Sequence, residues 1–131
     1  MHDIAIVGGG IVGLATANEL LSHDENLNLI ILEKESDVGL HQTGNNSGVI
    51  HSGIYYQPGS LKALNCRLGI KLLLEFCKKY GIPYEICGKI IVASKKKDLN
   101  QLDILLSRGY KNGIKGLKIL SPEELKNYEP Y

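Results

Sequence analysis

Residues 7–13 read VGGGIVG, which places glycines at the spacing Gly8-x-Gly10-x-x-Gly13. In a turn from a strand into a helix, Gly8 permits the tight turn, Gly10 lets the main chain approach a diphosphate, and Gly13 lets helix and strand pack closely. The free amides at the helix start, at the positive end of its dipole, can hold phosphate without a lysine. The motif therefore indicates a phosphate-binding turn, and a glycine-rich turn in an ordinary α/β protein is the alternative.

The flanking segments favour the phosphate-binding interpretation. Asp3–Val7 and Leu27–Glu33 are β-prone runs with the largely apolar character of strands buried in a parallel sheet. Between them, Ile11–Leu21 carries apolar residues at helical spacing. Glu33 follows Gly13 by twenty residues, where a carboxylate can accept hydrogen bonds from both ribose hydroxyls and disfavours a 2′-phosphate. The sequence therefore predicts an α/β fold that begins with a Rossmann-like βαβ unit and binds a dinucleotide. The residues predicted to hold it in this unit are Gly8, Gly10, Ile11, Val12, Gly13 and Glu33.

The composition is that of a globular protein. The chain has 131 residues, of which 44% are hydrophobic and 22% charged, enough for one domain with a core. No apolar run approaches the length of a membrane span, and no basic segment precedes the first apolar run, so we expect a cytoplasmic protein without a secretory signal. The cysteines lack CxxC spacing and are expected to be reduced core residues. They are Cys66, Cys77 and Cys87.

The net charge of +1 hides a division along the chain. Residues 1–60 hold one lysine and seven carboxylates, whereas residues 61–131 hold fourteen basic residues and seven carboxylates. A basic half can indicate an anionic partner. The lysines are scattered, however, and no aromatic residues alternate with them for base stacking. We therefore expect a solvated surface and no nucleic-acid partner.

The second half of the chain reads as mostly helical. Ser60 can cap a helix that runs to about Tyr80 and is ended by Gly81. Asp98–Tyr110 carries leucines on one helical face, and SPEE at 121–124 is the signature of a capping box. Strands are predicted at Tyr84–Cys87, Lys89–Ser94 and Leu117–Leu120.

Residues 34–59 show no regular pattern, and their centre at 41–56 reads HQTGNNSGVIHSGIYY. This stretch is rich in glycine and asparagine and has no carboxylate, lysine or arginine. A loop this long inside a compact domain is usually functional or disordered, and this one has too little charge to be disordered. A nicotinamide enzyme would continue with alternating helices and strands, so the loop favours FAD over NAD.

These residues together resemble a known family. The glycine motif, Glu33-Lys34 and the block HQTGNNSGVIHSGIYYQPGSLKALNCRLG at 41–69 are similar to the N-terminal part of the D-amino-acid-oxidase-like FAD-dependent oxidoreductases. The likeness spans essentially the whole chain and is greatest to the members that oxidise L-2-hydroxyglutarate. The resemblance implies FAD as the cofactor, the N-terminal part of an FAD-binding domain over residues 1–82, and the beginning of an α+β substrate-binding domain over residues 83–131.

The resemblance also implies how the polar loop is used. Residues 43–48 would wrap the FAD pyrophosphate and continue beside the isoalloxazine ring. Neutral hydrogen-bonding groups cost little to bury when they are satisfied, whereas an unpaired charge in a dry site is expensive. A surface turn of Asn and Ser residues is the alternative. The cofactor-binding residues added by the resemblance are Lys34, Thr43, Gly44, Asn46, Ser47, Gly48 and Val49.

Three side chains in the second part of this loop are candidates for the chemistry. His51 falls where the family places residues that face flavin or substrate. It could be the catalytic base that takes the hydroxyl proton, bind the flavin carbonyl or a substrate carboxylate, or be only structural. Tyr55 and Tyr56 could donate hydrogen bonds to a substrate carboxylate or pack a strand. His41 lies ten residues from His51 without carboxylate companions, so no metal site is predicted.

The activity implied by the resemblance is oxidation of L-2-hydroxyglutarate to 2-oxoglutarate by hydride transfer to flavin. Oxygen, or a quinone at the inner face of the membrane, would reoxidise the flavin. Family members are much longer, so this chain is expected to be part of a longer protein and inactive alone. Unpaired strand edges and apolar surface would then call for a companion chain or self-association. The alternatives are an amino-acid or amine oxidase of the same superfamily and a non-catalytic nucleotide-binding module.

Overall fold

The computed structural model describes residues 1–130, which form two compact units. The first unit is Met1–Val49, and the second begins at Ile50. None of the helices within the described residues is both long and apolar enough to cross a bilayer.

The first unit is the predicted βαβ unit. Strand β1 (Ile4–Val7) is followed by helix α1 (Ile11–His23) and strand β2 (Leu29–Leu32). The two strands are parallel, with Ile4 opposite Leu29 and Val7 opposite Leu32. This register brings the carboxyl ends of both strands to one edge, where the glycine turn leaves β1. The predicted α/β class with a Rossmann-like unit is thereby confirmed.

The turn between β1 and α1 depends on two glycines. Gly8 adopts φ +107, a conformation that side chains rarely tolerate, and its N–H donates to the Leu32 carbonyl at 2.8 Å. At Gly13, an added Cβ would collide with the Gly8 carbonyl oxygen and lie 3.3 Å from Ile6 Cγ2. The turn can therefore fold back this closely only because neither position carries a side chain.

The second unit contains the predicted long helix α2 (Leu61–Tyr80). Its N-terminus is capped by Ser60, whose Oγ accepts from the Ala63 N–H at 3.2 Å. Its C-terminus is closed by Gly81 at φ +66, and the N–H groups of Gly81 and Ile82 both donate to the Cys77 carbonyl. Local sequence signals thus set both ends of this helix as predicted.

Two further helices follow in the second unit. Helix α3 (Leu99–Lys111) is preceded by a 3₁₀ turn at Lys96–Asp98, close to the predicted range. The short helix α4 (Pro122–Leu125) has the predicted capping box. Its Ser121 Oγ accepts from the Glu124 N–H at 3.2 Å, while Glu124 Oε2 accepts from the Ser121 N–H at 2.8 Å.

The predicted strands of the second unit are wrong. Among the described residues, Tyr84–Cys87, Lys89–Ser94 and Leu117–Leu120 have no strand partner, and the only ladder is the one between β1 and β2. A strand exists only when a neighbour satisfies its amides and carbonyls, which apolar β-prone residues do not by themselves guarantee. Cys87 in this segment is exposed, so its predicted core position is also wrong, whereas Cys77 is buried and Cys66 half-buried.

The buried core is small. In the first unit Ala17 of α1 is the buried apolar residue, and in the second unit Ile54, Ala63 and Cys77 are buried. An apolar stripe along α2 is largely exposed. We call its members, which lie on one helical face, the α2 apolar face: Leu61 (75% exposed), Leu64 (57%), Leu68 (56%), Leu72 (53%) and Phe76 (40%).

Candidate functional site

The N-terminal end of α1, which we call its mouth, has main-chain N–H groups that find no acceptor within the helix. Its N-cap, Gly10, is extended and provides no side-chain cap. The first four amides of a helix have no acceptor inside it, and here Leu14 is the first to bond back, to Gly10 at 3.0 Å. The Ile11 N–H donates to Thr43 Oγ1 at 2.8 Å. The mouth therefore attracts an oxygen acceptor, and the loop already supplies one at Ile11.

Glu33 lies at the end of β2, beside the glycine turn. Its Oε2 accepts from the Gly9 N–H at 2.6 Å, and its Oε1 accepts from the N–H groups of Lys34 at 2.8 Å and Glu35 at 3.1 Å. These bonds, foremost those from Glu35 and Gly9, hold the pKa of the Glu33 carboxyl below its ordinary value. The carboxylate is therefore a fixed negative acceptor next to the mouth of α1.

The space between these groups is narrow. A Cβ at Gly10 would lie 3.3 Å from Thr43 Oγ1, and one at Gly9 would lie 3.0 Å from Glu33 Oε2 and 2.9 Å from Val38 Cγ1. A side chain at either position would crowd Thr43 or Glu33 beside the helix amides. The geometry leaves main-chain donors as the groups that face a ligand, which suits a diphosphate.

The polar loop after β2 is held by hydrogen bonds between its own residues. The Asn45 side-chain amide donates to the carbonyls of Leu40 and His41, both at 2.9 Å. The Asn46 amide donates to the carbonyls of Gln42 at 3.0 Å and Thr43 at 2.8 Å. Asn46 Oδ1 also accepts from the Gly48 N–H at 2.7 Å. In this conformation the two asparagines therefore shape the loop, and a contact of Asn46 with the cofactor stays a prediction.

The other predicted cofactor residues lie along the same loop. Lys34 Nζ is 3.3 Å from Glu35 Oε1, which also meets His41 Nε2 at 2.8 Å. Gly44 lies in a tight turn, where an added Cβ would lie only 2.7 Å from the Gly39 carbonyl oxygen. Ser47, Gly48 and Val49 continue the loop and are exposed.

The second unit holds a small cavity of about 150 Å³ formed by the predicted catalytic and substrate residues. Its lining includes His51, Tyr55 and Tyr56. The remaining lining residues are Ser52, Gly53, Ile54 and Lys89. The His51 carbonyl accepts from Cys66 Sγ at 3.2 Å, which fastens the segment to α2. Within the described residues, no cluster of three or more His, Cys, Asp or Glu side chains could hold a metal ion.

The C-terminal end of α3 holds this segment in place. Asn112 Nδ2 donates to the carbonyls of Gly53 at 3.3 Å and Tyr56 at 2.9 Å, and Arg108 Nη1 donates to the Tyr55 carbonyl at 2.9 Å. Sequence reasoning missed both side chains because these partners lie more than fifty residues apart along the chain. No local pattern marks such a contact.

Lys89 is a second residue that the sequence did not reveal. Its Nζ lies 4.7 Å from the centre of the Tyr55 ring, within range of a cation–π interaction. The sequence had predicted Lys89 only as the start of a strand. The lysine instead adds the cavity's single formal positive charge.

Comparison with known proteins agrees with this geometry. The family model "FAD dependent oxidoreductase" (DAO) matches residues 3–131. The chain therefore belongs to the DAO family of FAD-dependent oxidoreductases, and FAD is the cofactor of that family. The predicted family is confirmed.

Among relatives in this family are several L-2-hydroxyglutarate dehydrogenases. The one from Indibacter alkaliphilus is 52% identical over 129 residues, which cover 98% of this chain and 32% of the relative. The mitochondrial one from Homo sapiens is also 52% identical over 129 residues, covering 98% of this chain and 28% of the relative. The chain thus spans about a third of the length of these proteins.

A solved structure has the same fold. Dithionite-reduced L-alpha-glycerophosphate oxidase from Mycoplasma pneumoniae with FAD bound matches with a TM-score of 0.81 at 35% sequence identity. The match covers 98% of this chain and 34% of that one.

Proposed function

We propose that the chain is the N-terminal, FAD-binding part of an oxidoreductase that converts L-2-hydroxyglutarate to 2-oxoglutarate. The observation that carries this proposal is the 52% identity, over nearly the whole chain, to proteins named L-2-hydroxyglutarate dehydrogenase. The cavity at His51, which has two phenols and one lysine, suits a small anionic substrate.

The first unit would hold the cofactor. Amides of Gly10, Ile11, Val12 and Gly13 at the mouth of α1 would bind the diphosphate, and Glu33 would accept a hydrogen bond from a ribose hydroxyl. Thr43 Oγ1, which already reaches the Ile11 N–H, would also contact the diphosphate. When bound, FAD supplies the two-electron acceptor for a hydride that leaves C2 of the substrate. Lys34, Gly44, Asn46, Ser47, Gly48 and Val49 complete the proposed cofactor contacts.

The second unit would contribute to substrate binding and proton transfer. We propose that His51 takes the hydroxyl proton as hydride leaves the carbon, which is general-base work that an imidazole can perform. Tyr55 and Tyr56 would donate hydrogen bonds to a substrate carboxylate. The support is their common cavity with His51. Binding of the flavin carbonyl and a structural role remain the alternatives for His51.

Three finer features belong to the same proposal. The electron acceptor would be oxygen or a membrane quinone, and a quinone would require the protein to meet the inner face of the membrane. The boundary between cofactor and substrate domains would fall near residue 82. The exposed α2 apolar face supports association with a companion chain or with a second copy.

The cofactor part is tested by absorbance of the purified chain with and without added FAD. We expect a bound-flavin spectrum after gel filtration. The substitution Gly10→Val should abolish flavin retention, because the side chain would fill the space next to Thr43 Oγ1. Retention of flavin by the Gly10→Val variant at wild-type affinity would contradict the proposed cradle.

The reaction is tested by anaerobic bleaching of the bound flavin. The protein used is one of full family length that contains this sequence. L-2-hydroxyglutarate should bleach it, and L-alpha-glycerophosphate and amino acids should not. Bleaching by amino acids instead would favour an amino-acid oxidase. Bound flavin that no hydroxy acid or amino acid reduces would favour a non-catalytic nucleotide-binding module.

A further inference from the structure

The cavity at residues 51–56 carries one cation and no carboxylate. Its lining consists of residues 51–56 and Lys89, and none of these residues is Asp or Glu. Among the described residues, the ion pairs within 4.0 Å involve other groups, and none includes Lys89. The ammonium group is therefore not neutralised by an acidic neighbour. An anion that enters the cavity would meet an unpaired positive charge.

The ammonium group lies beside an aromatic ring, although the Lys89 side chain is exposed. Nζ lies 4.7 Å from the centre of the Tyr55 ring, so the ring quadrupole favours that location. The Tyr55 main chain is itself fixed, because its carbonyl accepts from Arg108 Nη1 at 2.9 Å. The charge thus lies beside a segment that is hydrogen-bonded to the C-terminal end of α3.

The cavity has room for a small ligand. Its volume is about 150 Å³, and a cavity of roughly that volume can hold a benzene-sized molecule. That size suits one carboxylate end of a small acid. The hydroxyl groups of Ser52, Tyr55 and Tyr56 on the lining are hydrogen-bond donors that a carboxylate can use.

We propose that Lys89 is the charged residue of a carboxylate-binding subsite in this cavity. The subsite takes one carboxylate of a small dicarboxylic acid, and its identification with 2-hydroxyglutarate depends on the proposed function. Lys89 would then determine specificity, because it favours an anion over a neutral ligand at the position beside Tyr55.

The test is a titration of the purified chain with glutarate, followed by the chemical shifts of main-chain amides and by calorimetry. Glutaramide, which has the same carbon chain without charge, is the probe for charge dependence. The variants are Lys89→Gln and Lys89→Arg. The matched control is Lys115→Gln, an exposed lysine of the same unit that does not line the cavity.

We expect glutarate to shift the amides of residues 51–56, and glutaramide to leave them unchanged. Lys89→Gln should weaken glutarate binding by about 10-fold or more, Lys89→Arg should retain most of it, and Lys115→Gln should bind like wild type. The proposal is overturned if glutarate shifts no amide of this segment, or if Lys89→Gln binds glutarate as tightly as wild type.

A flavin-bleaching assay separates this inference from the proposed function. If L-2-hydroxyglutarate fails to bleach bound flavin while glutarate binding still depends on Lys89, the proposed function is wrong and the subsite stands. If bleaching occurs and Lys89→Gln leaves the KM unchanged, the subsite is wrong and the proposed function stands.

Discussion

Among single residues, Gly13 shows that the turn between β1 and α1 leaves no room for a side chain. A Cβ there would collide with the main-chain oxygen of Gly8, which cannot rotate away as a side chain could. We expect Gly13→Ala to lower the free energy of unfolding by about 1–3 kcal/mol and to weaken FAD binding, because α1 must move from β1. Urea denaturation and flavin titration measure the two effects.

Gly69 supplies the matched control. It lies in α2, and no heavy atom outside the helix's own backbone lies within 4 Å of an added Cβ. Gly69→Ala should raise the free energy of unfolding by about 0.5–1 kcal/mol, because alanine has the better helix propensity. Equal stability of Gly13→Ala and wild type would refute the steric argument.

Glu33 makes the first unit sensitive to acid. Its folded-state pKa lies below the ordinary value of 4.5, chiefly because the amides of Glu35 and Gly9 donate to the carboxylate. The stability that it contributes is complete above about pH 4.5 and is lost as the pH falls through the folded pKa. Below pH 4.5 we therefore expect wild type to lose stability more steeply than Glu33→Gln.

Urea unfolding midpoints measured between about pH 6 and pH 3 check this expectation. Glu35, whose pKa is also lowered, mainly by its hydrogen bond with His41, is present in both proteins, and the Glu33 charge is the smallest influence on that pKa. Glu25→Gln, at an exposed position, is the control and should follow the wild-type curve. Parallel curves for wild type and Glu33→Gln would show that the amide bonds do not act on stability.

Among the secondary-structure elements, α3 has the clearest effect on the candidate chemistry. Asn112→Ala would remove two hydrogen bonds and leave the carbonyls of Gly53 and Tyr56 without these donors. We expect a loss of about 1–3 kcal/mol in unfolding free energy and faster hydrogen exchange at residues 53–56. Asn100→Ala, an exposed change in the same helix, should neither lower the unfolding free energy nor speed that exchange, because alanine has the better helix propensity. Unchanged exchange in Asn112→Ala would mean that α3 does not hold the segment.

The sequence predicted those elements that are determined by residues close to each other along the chain. The ends of α2 follow from Ser60 and Gly81, whose hydrogen-bond partners lie within four residues, and both ends were predicted. The glycine turn was predicted because its requirements are equally local. The strands predicted at 84–94 are absent, because strand formation depends on a partner from elsewhere in the chain, which a local pattern does not reveal. Arg108 and Asn112 were missed for the same reason.

For the chain as a whole, the α2 apolar face exposes five large apolar side chains on one side of a single helix. Leu64 and Leu68 are 57% and 56% exposed and lie one helical turn apart. A contiguous apolar surface of this kind binds hydrophobic dyes and promotes association. We expect the chain to enhance ANS fluorescence and to self-associate in sedimentation experiments, and the double variant Leu64→Gln/Leu68→Gln to reduce both.

The matched control for this prediction is Lys62→Gln/Lys71→Gln, which changes α2 without changing its apolar face. It should behave like wild type in both measurements. A monomeric wild-type chain without ANS enhancement would refute the prediction.

The three amides around Glu33 also limit what the carboxylate can offer a nucleotide. An ionised carboxylate has about four lone-pair sites, and main-chain donors already occupy three of them. A single ribose hydroxyl can donate to the vacant site while the turn stays intact. If both ribose hydroxyls donated to the carboxylate, one main-chain amide would have to give up its hydrogen bond. Since the carboxylate is oriented before the nucleotide arrives, little torsional freedom is lost on complex formation. Glu33 would thus bind the adenosine ribose at a low entropic cost, but through only one of its hydroxyls.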